Sequence, residues 1–313
     1  MCADRILITG GCGFIGINLV DYLMKTTDHE IRVVDNLSLG RKEYLSGFDV
    51  DIIEGDIRDE GLVRSLVGDA DSIVHLAADT RVIDSIANPD LNFDVNVVGT
   101  YNLLRAAREA RVKHFVFAST GGAIVGDVIP PVNESMAPHP QSPYGASKLC
   151  MEGYCSAFAG SYGMKTVSLR FSNVYGPHSY HKGSVVASFF KRILEGEPLM
   201  VYGDGTQTRD FVFSEDLCSA IVAGLSLETG GEAIQLGSGR ETSLNELISA
   251  IRDVIGPSHQ VDVIYERFRK GEVRFNYADI SRARRILRYD PQTGLHEGLK
   301  KTWNWFMESK GSS

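Results

Sequence analysis

Apolar runs and helical periodicities alternate along the first 172 residues. Short β-branched or apolar runs predict six strands, over residues 5–10, 31–35, 50–56, 72–78, 114–119 and 166–172. Apolar residues spaced by three and four predict helices between them, notably over residues 14–25, 93–110 and 144–163. Strands that alternate with helices are typical of βαβ units, so we predict an α/β fold with a Rossmann-like, doubly wound parallel sheet.

The pattern changes after about residue 173. Glycine, proline and aromatic residues become frequent, as in "NVYGPHSYHKG" and "VYGDGTQTRDF", and loops separate the helices. We expect residues 1–172 to form the larger lobe, with residues 213–238 returning to it. Residues 173–212 and 239–313 are expected to form a smaller C-terminal α/β lobe.

Composition and charge narrow the choice of partners. The chain has 313 residues, 43% of them hydrophobic, and a net charge of -8. This acidic balance disfavours nucleic acid and anionic membranes as partners, although it allows a negatively charged small ligand. The five cysteines form no CxxC pair, so neither a disulfide framework nor a metal site is predicted. The first strand begins at Arg5 and no long apolar run occurs, so we expect a cytoplasmic protein of enzyme size.

A glycine motif, "TGGCGFIG" at residues 9–16, lies directly between the first predicted strand and the first predicted helix. The spacing of Gly10, Gly13 and Gly16 suits a tight turn into a helix whose first N–H groups bind a pyrophosphate. Asp35 ends the second strand, where a carboxylate accepts hydrogen bonds from the adenosine ribose and repels a 2′-phosphate. The glycines alone would be weak evidence, but with the strand, the helix and Asp35 they predict NAD rather than NADP.

A tyrosine and a lysine in "SPYGASK" form a candidate acid–base pair. Tyr144 and Lys148 are four residues apart, so a helix places them on one face, and Pro143 suits its first turn. A free phenol has a pKa near ~10 and is a poor base at neutral pH, whereas a neighbouring ammonium favours the phenolate. This spacing alone is common on helices and usually carries no function. The pair follows the glycine motif and two hydroxyl residues, Ser119 and Thr120, at the end of the fifth predicted strand. This context makes acid–base catalysis the preferred interpretation.

The combination of motifs resembles one enzyme family. "TGGCGFIG", "LAA", "NVVGT", "SPYGASK" and "RFSNVYGP" together look like the extended short-chain dehydrogenase/reductases that act on nucleotide-diphosphate sugars, over almost the entire chain. Within that family, the chain is similar to the NAD-dependent sugar 4-epimerases of the UDP-glucose 4-epimerase type. The resemblance implies an isomerase with NAD as cofactor, a UDP-sugar as substrate and a homodimeric assembly. The larger lobe would bind NAD and the smaller lobe the sugar nucleotide.

The resemblance also implies roles for individual residues. Tyr144 would be the catalytic base and acid, and Lys148 would bind the nicotinamide ribose and tune the tyrosine. Besides this pair, the cofactor would be held by Gly10, Gly13, Phe14, Ile15, Gly16, Asp35, Asn36, Asp56, Ile57, Leu76, Ala77, Ala78 and Asn96. The substrate would be held by Asn173, Arg209, Arg269, Glu272 and Asn276.

Some of these residues also have a purely structural interpretation. An arginine suits a diphosphate because its guanidinium fork binds phosphate oxygens in pairs. The charge run "ERFRKGE" around Arg269 and Glu272 is, however, also typical of a solvated surface. Asn96 lies in an apolar helix, where a polar side chain often satisfies nearby backbone groups, and the family resemblance likewise implies that it holds the helix near the cofactor.

Two glycines after the fifth strand favour one reaction of the family. Dehydratases and decarboxylases of this family carry further carboxylates there, whereas this chain has Gly121 and Gly122. The predicted function is therefore 4-epimerisation: hydride leaves sugar C4 for NAD, the 4-keto sugar rotates, and hydride returns to its other face. Another NDP-sugar oxidoreductase, such as a 4,6-dehydratase or a 4-ketoreductase, and a catalytically silent NAD-binding module stay as alternatives.

Two adjacent hydroxyls, Ser119 and Thr120, end the fifth predicted strand. In the resembling enzymes a hydroxyl here bonds the sugar 4-hydroxyl and helps pass its proton to the tyrosine. Aligned from Gly126, the usual position falls on Gly121, so a neighbour must take the role. Because successive strand residues alternate faces, only one of the two hydroxyls is expected to face the sugar. We predict Thr120 first, since it is nearer the strand end, and Ser119 second.

Two expectations concern the sugar and the assembly. Asn276 falls where glucose–galactose epimerases commonly carry a bulky tyrosine, which predicts room for N-acetylhexosamine or other substituted sugars such as glucuronate. Tyr277 is adjacent, so an alignment slip of one residue would remove this expectation. The helices over 93–110 and 144–163 would form the shared dimer interface, and we expect support for it if one of these side chains is exposed: Leu149, Tyr154 or Phe158.

Overall fold

The computed structural model describes residues 4–257, 259–268 and 273–310. Within these ranges the strands are β1 (Arg5–Thr9), β2 (Glu30–Asp35), β3 (Asp51–Glu54), β4 (Ser72–His75), β5 (His114–Thr120), β6 (Lys165–Phe171), β7 (Asn173–Tyr175), β8 (Leu199–Tyr202), β9 (Thr208–Arg209), β10 (Phe211–Phe213), β11 (Glu232–Leu236), β12 (Thr242–Ser243) and β13 (Val263–Glu266). The α-helices are α1 (Phe14–Thr26), α2 (Glu60–Gly68), α3 (Val82–Ala87), α4 (Pro89–Phe93), α5 (Thr100–Ala110), α6 (Gly122–Val125), α7 (Pro143–Tyr162), α8 (Val185–Glu195), α9 (Ser214–Gly224), α10 (Leu244–Ile255), α11 (Ser281–Leu287) and α12 (Leu295–Lys310). A 3-10 helix covers Lys42–Leu45 and a π-helix covers Asp94–Gly99. None of the helices in the described ranges combines the length and apolar character needed to span a bilayer.

One parallel sheet organises the larger lobe. Across the described residues its strand order is β3–β2–β1–β4–β5–β6–β11, and each pair of neighbours runs parallel. The strand order reverses between β1 and β4, and in such folds ligands bind in the crevice beyond the carboxyl ends of these strands. The predicted fold class, a doubly wound Rossmann-like sheet, is therefore confirmed.

Helix α7 places the predicted acid–base pair beside this crevice. It begins with Pro143 after the N-cap Ser142, whose side chain accepts from Gly145 N at 3.2 Å. It ends at Tyr162 and is capped by Gly163, which adopts the left-handed conformation with φ 68°. A proline at the start and a glycine at the end of a helix follow the general preference of both residues.

Two predicted elements differ from the structure. β4 ends at His75, so residues 76–78 follow the strand and lie in the loop above it. The helix predicted over residues 93–110 is divided, because the π-helix separates α4 from α5. Thr100 follows the π-helix, and its Oγ1 donates to Asn96 O at 2.7 Å. The Asn96 side chain points elsewhere, to the loop that follows β4.

The later part of the chain contributes to both lobes. β11, within residues 213–238, pairs with β6 at the edge of the main sheet. A separate apolar core forms around α8, α10 and α12, with Phe190, Leu247 and Phe306 buried in it. Residues 278–289, which we predicted in the smaller lobe, instead pack into the core of the larger lobe because Ile280, Leu287 and their apolar neighbours are buried there. We retain the two-lobe division as a proposal, with this segment moved to the larger lobe.

Candidate active site

The glycine turn has the geometry that a dinucleotide requires. Gly10 has φ 69°, and a Cβ on it would lie 2.6 Å from the backbone nitrogen of Ala77, so no larger residue fits. A Cβ on Gly16 would lie 2.4 Å from Gly11 Cα, so the helix packs directly on the turn. Gly13 caps α1 without any side-chain hydrogen bond. The first N–H groups of α1 therefore have no side-chain cap and suit a pyrophosphate.

Asp35 lies at the end of β2 beside this turn. Its side chain is buried and accepts from Cys12 N at 3.0 Å and from Leu37 N at 2.8 Å. Burial raises the pKa of Asp35, and these two backbone bonds lower it. The carboxylate is thus fixed at the position from which it can accept the ribose hydroxyls, and the residues fit the predicted NAD.

Three further predicted cofactor residues, Asn36, Asp56 and Ile57, follow the ends of β2 and β3. Asn36 Nδ2 donates to Asp56 Oδ2 at 3.1 Å, and Arg58 pairs with the same carboxylate at 2.8 Å. The Arg58 hydrogen bonds hold the pKa of Asp56 well below its usual range. Ile57 is buried next to it. These residues lie together, with Asp56 held as an anion by Arg58.

The loop after β4 joins the cofactor turn to the acid–base helix. Leu76 N donates to Thr9 O at 3.0 Å and Ala77 N to Thr9 Oγ1 at 3.3 Å, which holds residues 76–78 against the glycine turn. Asn96 Oδ1 accepts from Asp79 N at 2.8 Å, and its Nδ2 donates to Asp79 O at 2.9 Å and to Ser147 Oγ at 3.1 Å. Asn96 therefore acts structurally, in agreement with both interpretations of the sequence.

Tyr144 and Lys148 share one face of α7 at the end of β5. The Thr120 hydroxyl lies beside the Tyr144 phenol and lowers the pKa of that phenol. Lys148 is buried, donates to Ala118 O at 2.8 Å, and its Nζ lies 6.0 Å from the Tyr144 ring centroid. Phe117 lies under the same ammonium, 4.8 Å from ring centroid to Nζ. The predicted constellation of hydroxyl, phenol and ammonium is thus brought together.

Burial changes the proton affinities of this pair. Desolvation raises the pKa of Tyr144 to about 12, while the Thr120 hydrogen bond lowers it and the nearby charge of Asp79 raises it. Desolvation lowers the pKa of Lys148 to about 7, against the opposing influence of Cys155 and Glu152. The protein alone therefore favours a neutral phenol, and an additional positive charge is needed to favour the phenolate.

The prediction of Ser119 as an alternative catalytic hydroxyl is not supported by its position. Ser119 Oγ donates to Glu152 Oε1 at 2.6 Å, inside the protein. Glu152 lies eight residues after Tyr144 on α7, about 12 Å of helical rise away. Arg170 donates to the same carboxylate through Nε at 2.9 Å and Nη2 at 2.7 Å. Ser119 thus contacts a buried ion pair, and Thr120 faces the tyrosine.

The side-chain amides of Gln235 and Asn276 lie beside the two glycines that follow β5. A Cβ on Gly121 would lie 2.4 Å from Gln235 Oε1, and a Cβ on Gly122 would lie 2.1 Å from Asn276 Nδ2. Gln235 comes from β11, and Asn276 follows β13 in the chain. The structure thus places Asn276 next to the end of β5, and a side chain at either glycine would require one of these amides to move.

Three of the five predicted substrate residues lie on neighbouring segments of the structure. Asn173 begins β7 and is paired with Phe211, two residues after Arg209. Arg209 Nη1 donates to Thr208 O at 2.7 Å and to Arg274 O at 3.4 Å. Asn173, Arg209 and Asn276 are therefore on neighbouring segments. Arg269 and Glu272 lie outside the described residues.

Sequence reasoning missed three charged residues around the pair, namely Asp79, Glu152 and Arg170. Glu152 could have been found, because it continues the four-residue spacing of Tyr144 and Lys148 along α7. Arg170 could have been paired with it only through the register of β5 and β6, which places Arg170 opposite Ser119. Asp79 follows the "LAA" motif, but no spacing rule indicates that its charge reaches Tyr144.

A doubly wound sheet with a glycine turn and a tyrosine–lysine pair at its crevice defines a dinucleotide-dependent enzyme of the short-chain dehydrogenase/reductase type. The model of the NAD dependent epimerase/dehydratase family matches residues 6–237 of the chain. The chain belongs to this family, which confirms the predicted family and NAD as its cofactor.

Relatives of known structure or sequence cover the chain almost completely. The UDP-glucose 4-epimerase of Thermotoga maritima, solved with UDP-glucose, is 36% identical, with a TM-score of 0.92 over 98% of this chain and 99% of its own. The UDP-N-acetylglucosamine 4-epimerase of Methanobrevibacter ruminantium, in complex with UDP-N-acetylmuramic acid, is 32% identical, with a TM-score of 0.92 over 99% of this chain and 100% of its own. The UDP-glucuronate 4-epimerase of Thermodesulfobacterium geofontis is 32% identical over 97% of this chain and 96% of its own. The predicted resemblance to UDP-sugar 4-epimerases is confirmed.

Proposed function

We propose that this protein is an NAD-dependent UDP-sugar 4-epimerase with Tyr144 as its catalytic acid and base. The observation that carries the proposal is the contact of Tyr144 with Thr120 beside the buried Lys148. The relatives support the reaction class, since they include 4-epimerases of three different UDP-sugars. The packing of Gly121 and Gly122 leaves no acidic side chain where the family's dehydratases have one.

The residues of this chain divide the proton chemistry between them. The glycine turn would hold NAD, which would supply the hydride acceptor and donor for sugar C4. Tyr144 takes the proton of the sugar 4-hydroxyl and later gives it back, and Thr120 passes it between them. Lys148 stabilises the phenolate by its charge. Asp35 and the N-terminus of α1 hold the dinucleotide.

The substrate must stay bound while its sugar turns over. We propose that Arg209 anchors the diphosphate, together with Arg269, and that Asn173 and Glu272 contact the sugar and the uridine. Two phosphate-bound arginines can hold one end of the molecule while the 4-keto sugar presents its other face. Asn276 is smaller than the tyrosine common at this position in glucose–galactose epimerases, so we propose that it leaves room for a substituent at C2.

A panel of UDP-glucose, UDP-N-acetylglucosamine and UDP-glucuronate tests the proposed function and its sugar. We expect inversion at C4 of at least one of them, without net formation of NADH. Product analysis by NMR separates inversion from the formation of a 4-keto sugar, which would indicate a dehydratase. Failure to convert any of these sugars, or net consumption of NADH, would contradict the proposal.

Thr120→Val is expected to lower kcat about 100-fold, because it replaces the hydroxyl that bonds Tyr144 by a methyl group of similar shape. KM for the UDP-sugar should change little, since Thr120 acts at C4 and away from the diphosphate. Steady-state kinetics with the preferred sugar measures both values. A Thr120→Ser variant retains the hydroxyl and should recover most of the rate; equal losses in both variants would remove the proton-relay role.

The exposed face of α5 and α7 supports a homodimer. Tyr154 is 42% exposed and packs against the ring of Tyr101, with 5.3 Å between centroids. Leu149 is partly buried, while Phe158 is buried within the monomer. We propose that this aromatic face meets its copy in a second chain. Analytical ultracentrifugation should find a dimer that Tyr154→Glu dissociates, and a monomeric wild type would exclude it.

The location of the enzyme is also a proposal. Cys12, Cys150, Cys155 and Cys218, the cysteines among the described residues, are free thiols. Free thiols are typical of a reducing compartment. We propose a cytoplasmic location, and fractionation with an antibody against the protein would test it.

A further inference from the structure

A third residue continues the helical row that carries the acid–base pair. Glu152 follows Lys148 by four residues and Tyr144 by eight, so the three share one face of α7. Ser119, which donates a hydrogen bond to Glu152, directly precedes Thr120, whose hydroxyl lies beside the Tyr144 phenol. With the bond from Lys148 to the preceding backbone carbonyl, three successive residues of β5 are each tied to this row. The end of β5 therefore has one defined position relative to α7.

Glu152, the last residue of this row along α7, forms a buried ion pair with Arg170. Glu152 is 8% exposed and Arg170 is 6% exposed, and their two hydrogen bonds form a fork. Burying two charges is costly unless the geometry is good and further hydrogen bonds are made. Ser119 supplies such a bond to Glu152 and lies opposite Arg170 in the sheet. The network thus joins β5, β6 and α7 at one point.

We propose that Ser119, Glu152 and Arg170 form a positioning network that sets the distance between Thr120 and Tyr144. Ser119 holds the last residues of β5 against α7 through Glu152, and Arg170 fixes the carboxylate that Ser119 binds. The network rests on the proposed function, since the distance that it sets matters for proton transfer at C4. None of its members touches the substrate, so all three are positioning residues.

Ser119→Ala tests the network with the smallest change. Without the hydroxyl, the strand end loses one of its three ties to α7, and we expect kcat to fall about tenfold, because small displacements of reacting groups are costly in rate. KM and the amount of bound NAD should stay within twofold of wild type. Ser72→Ala is the matched control: Ser72 is a buried strand serine at the start of β4 whose hydroxyl has no partner among the described residues. Its kcat should equal that of wild type.

Glu152→Gln provides a second variant of similar shape. Its amide leaves the charge of Arg170 without a counterion, so the same selective loss of kcat is expected, with a larger loss of thermal stability than for Ser119→Ala. When Ser119→Ala and Glu152→Gln are combined in one protein, their losses in kcat should not multiply, because both substitutions act through the same Ser119–Glu152 contact. Losses that multiply fully would contradict the network.

A crystal structure of the Ser119→Ala variant gives a readout that is independent of turnover. The network requires a longer Thr120–Tyr144 separation than in the wild type crystallised under the same conditions. An unchanged separation, or a Ser119→Ala variant with the kcat of wild type, would overturn the proposal. An inactive wild type would contradict the 4-epimerase function, while the crystal structures would still decide on the network.

Discussion

Tyr144→Phe is expected to lower kcat for UDP-sugar epimerisation by about 10³-fold, which corresponds to about 4 kcal/mol of transition-state stabilisation. The phenol is the group that accepts the 4-hydroxyl proton and returns it, and phenylalanine retains the ring but cannot exchange a proton. The ring packing stays, so the fold and the amount of bound NAD should not change. The measurement is C4 inversion of the best sugar of the panel, followed by NMR.

Tyr162→Phe is the matched control for this prediction. Tyr162 lies at the end of the same helix, is 53% exposed and contacts only aromatic and cationic groups through its ring in the described structure. Its kcat should equal that of wild type. If Tyr144→Phe retained more than a tenth of the wild-type rate, another residue would have to be the acid and base.

Lys148→Met is expected to lower kcat by about 100-fold, because the phenolate of Tyr144 loses its nearest positive charge. Methionine fills most of the buried channel of the lysine chain. The carbonyl of Ala118 loses its donor, so some loss of stability is also expected. Lys165→Met, which removes a lysine paired with Glu228 at the opposite end of the sheet, serves as the control with unchanged kcat.

The pH dependence of Lys148→Met distinguishes an electrostatic role from a merely structural one. Burial raises the pKa of Tyr144 to about 12, and removal of the ammonium removes an influence that favours the phenolate. Only the phenolate accepts a proton, so the residual rate should rise with pH throughout the neutral range, more steeply than for wild type. A variant whose rate has the same pH profile as wild type would show that Lys148 acts by packing alone.

Periodicity and motif spacing were sufficient to predict six of the seven strands of the main sheet and the cofactor turn. Each βαβ unit is encoded locally, by an apolar run and a helical period, and the glycine turn requires residues that lie within one short segment. The pairing of Tyr144 with Lys148 follows likewise from helical spacing. These features could be predicted because local sequence determines them.

Contacts between distant segments could not be predicted in the same way. The choice between Ser119 and Thr120 depends on where Glu152, eight residues after Tyr144 on α7, meets β5. It also depends on Arg170, which comes from β6. The apolar residues of segment 278–289 indicate burial without indicating which core receives them, so their packing beside the main sheet could not be predicted. Register and packing across the sheet decide both points, and neither leaves a periodic signal in the sequence.

The amides that lie against Gly121 and Gly122 restrict how the reaction of this enzyme could change during evolution or design. A carboxylate introduced at either glycine would collide with Gln235 or Asn276, each contributed by a segment more than a hundred residues away. An aspartate at position 121 therefore requires the Gln235 side chain to move, and its amide has no hydrogen-bond partner in the described part of the chain to hold it in place. A carboxylate placed at the end of β5 thus displaces an amide that now lies beside the acid–base pair, so the two positions are expected to act on the reaction together.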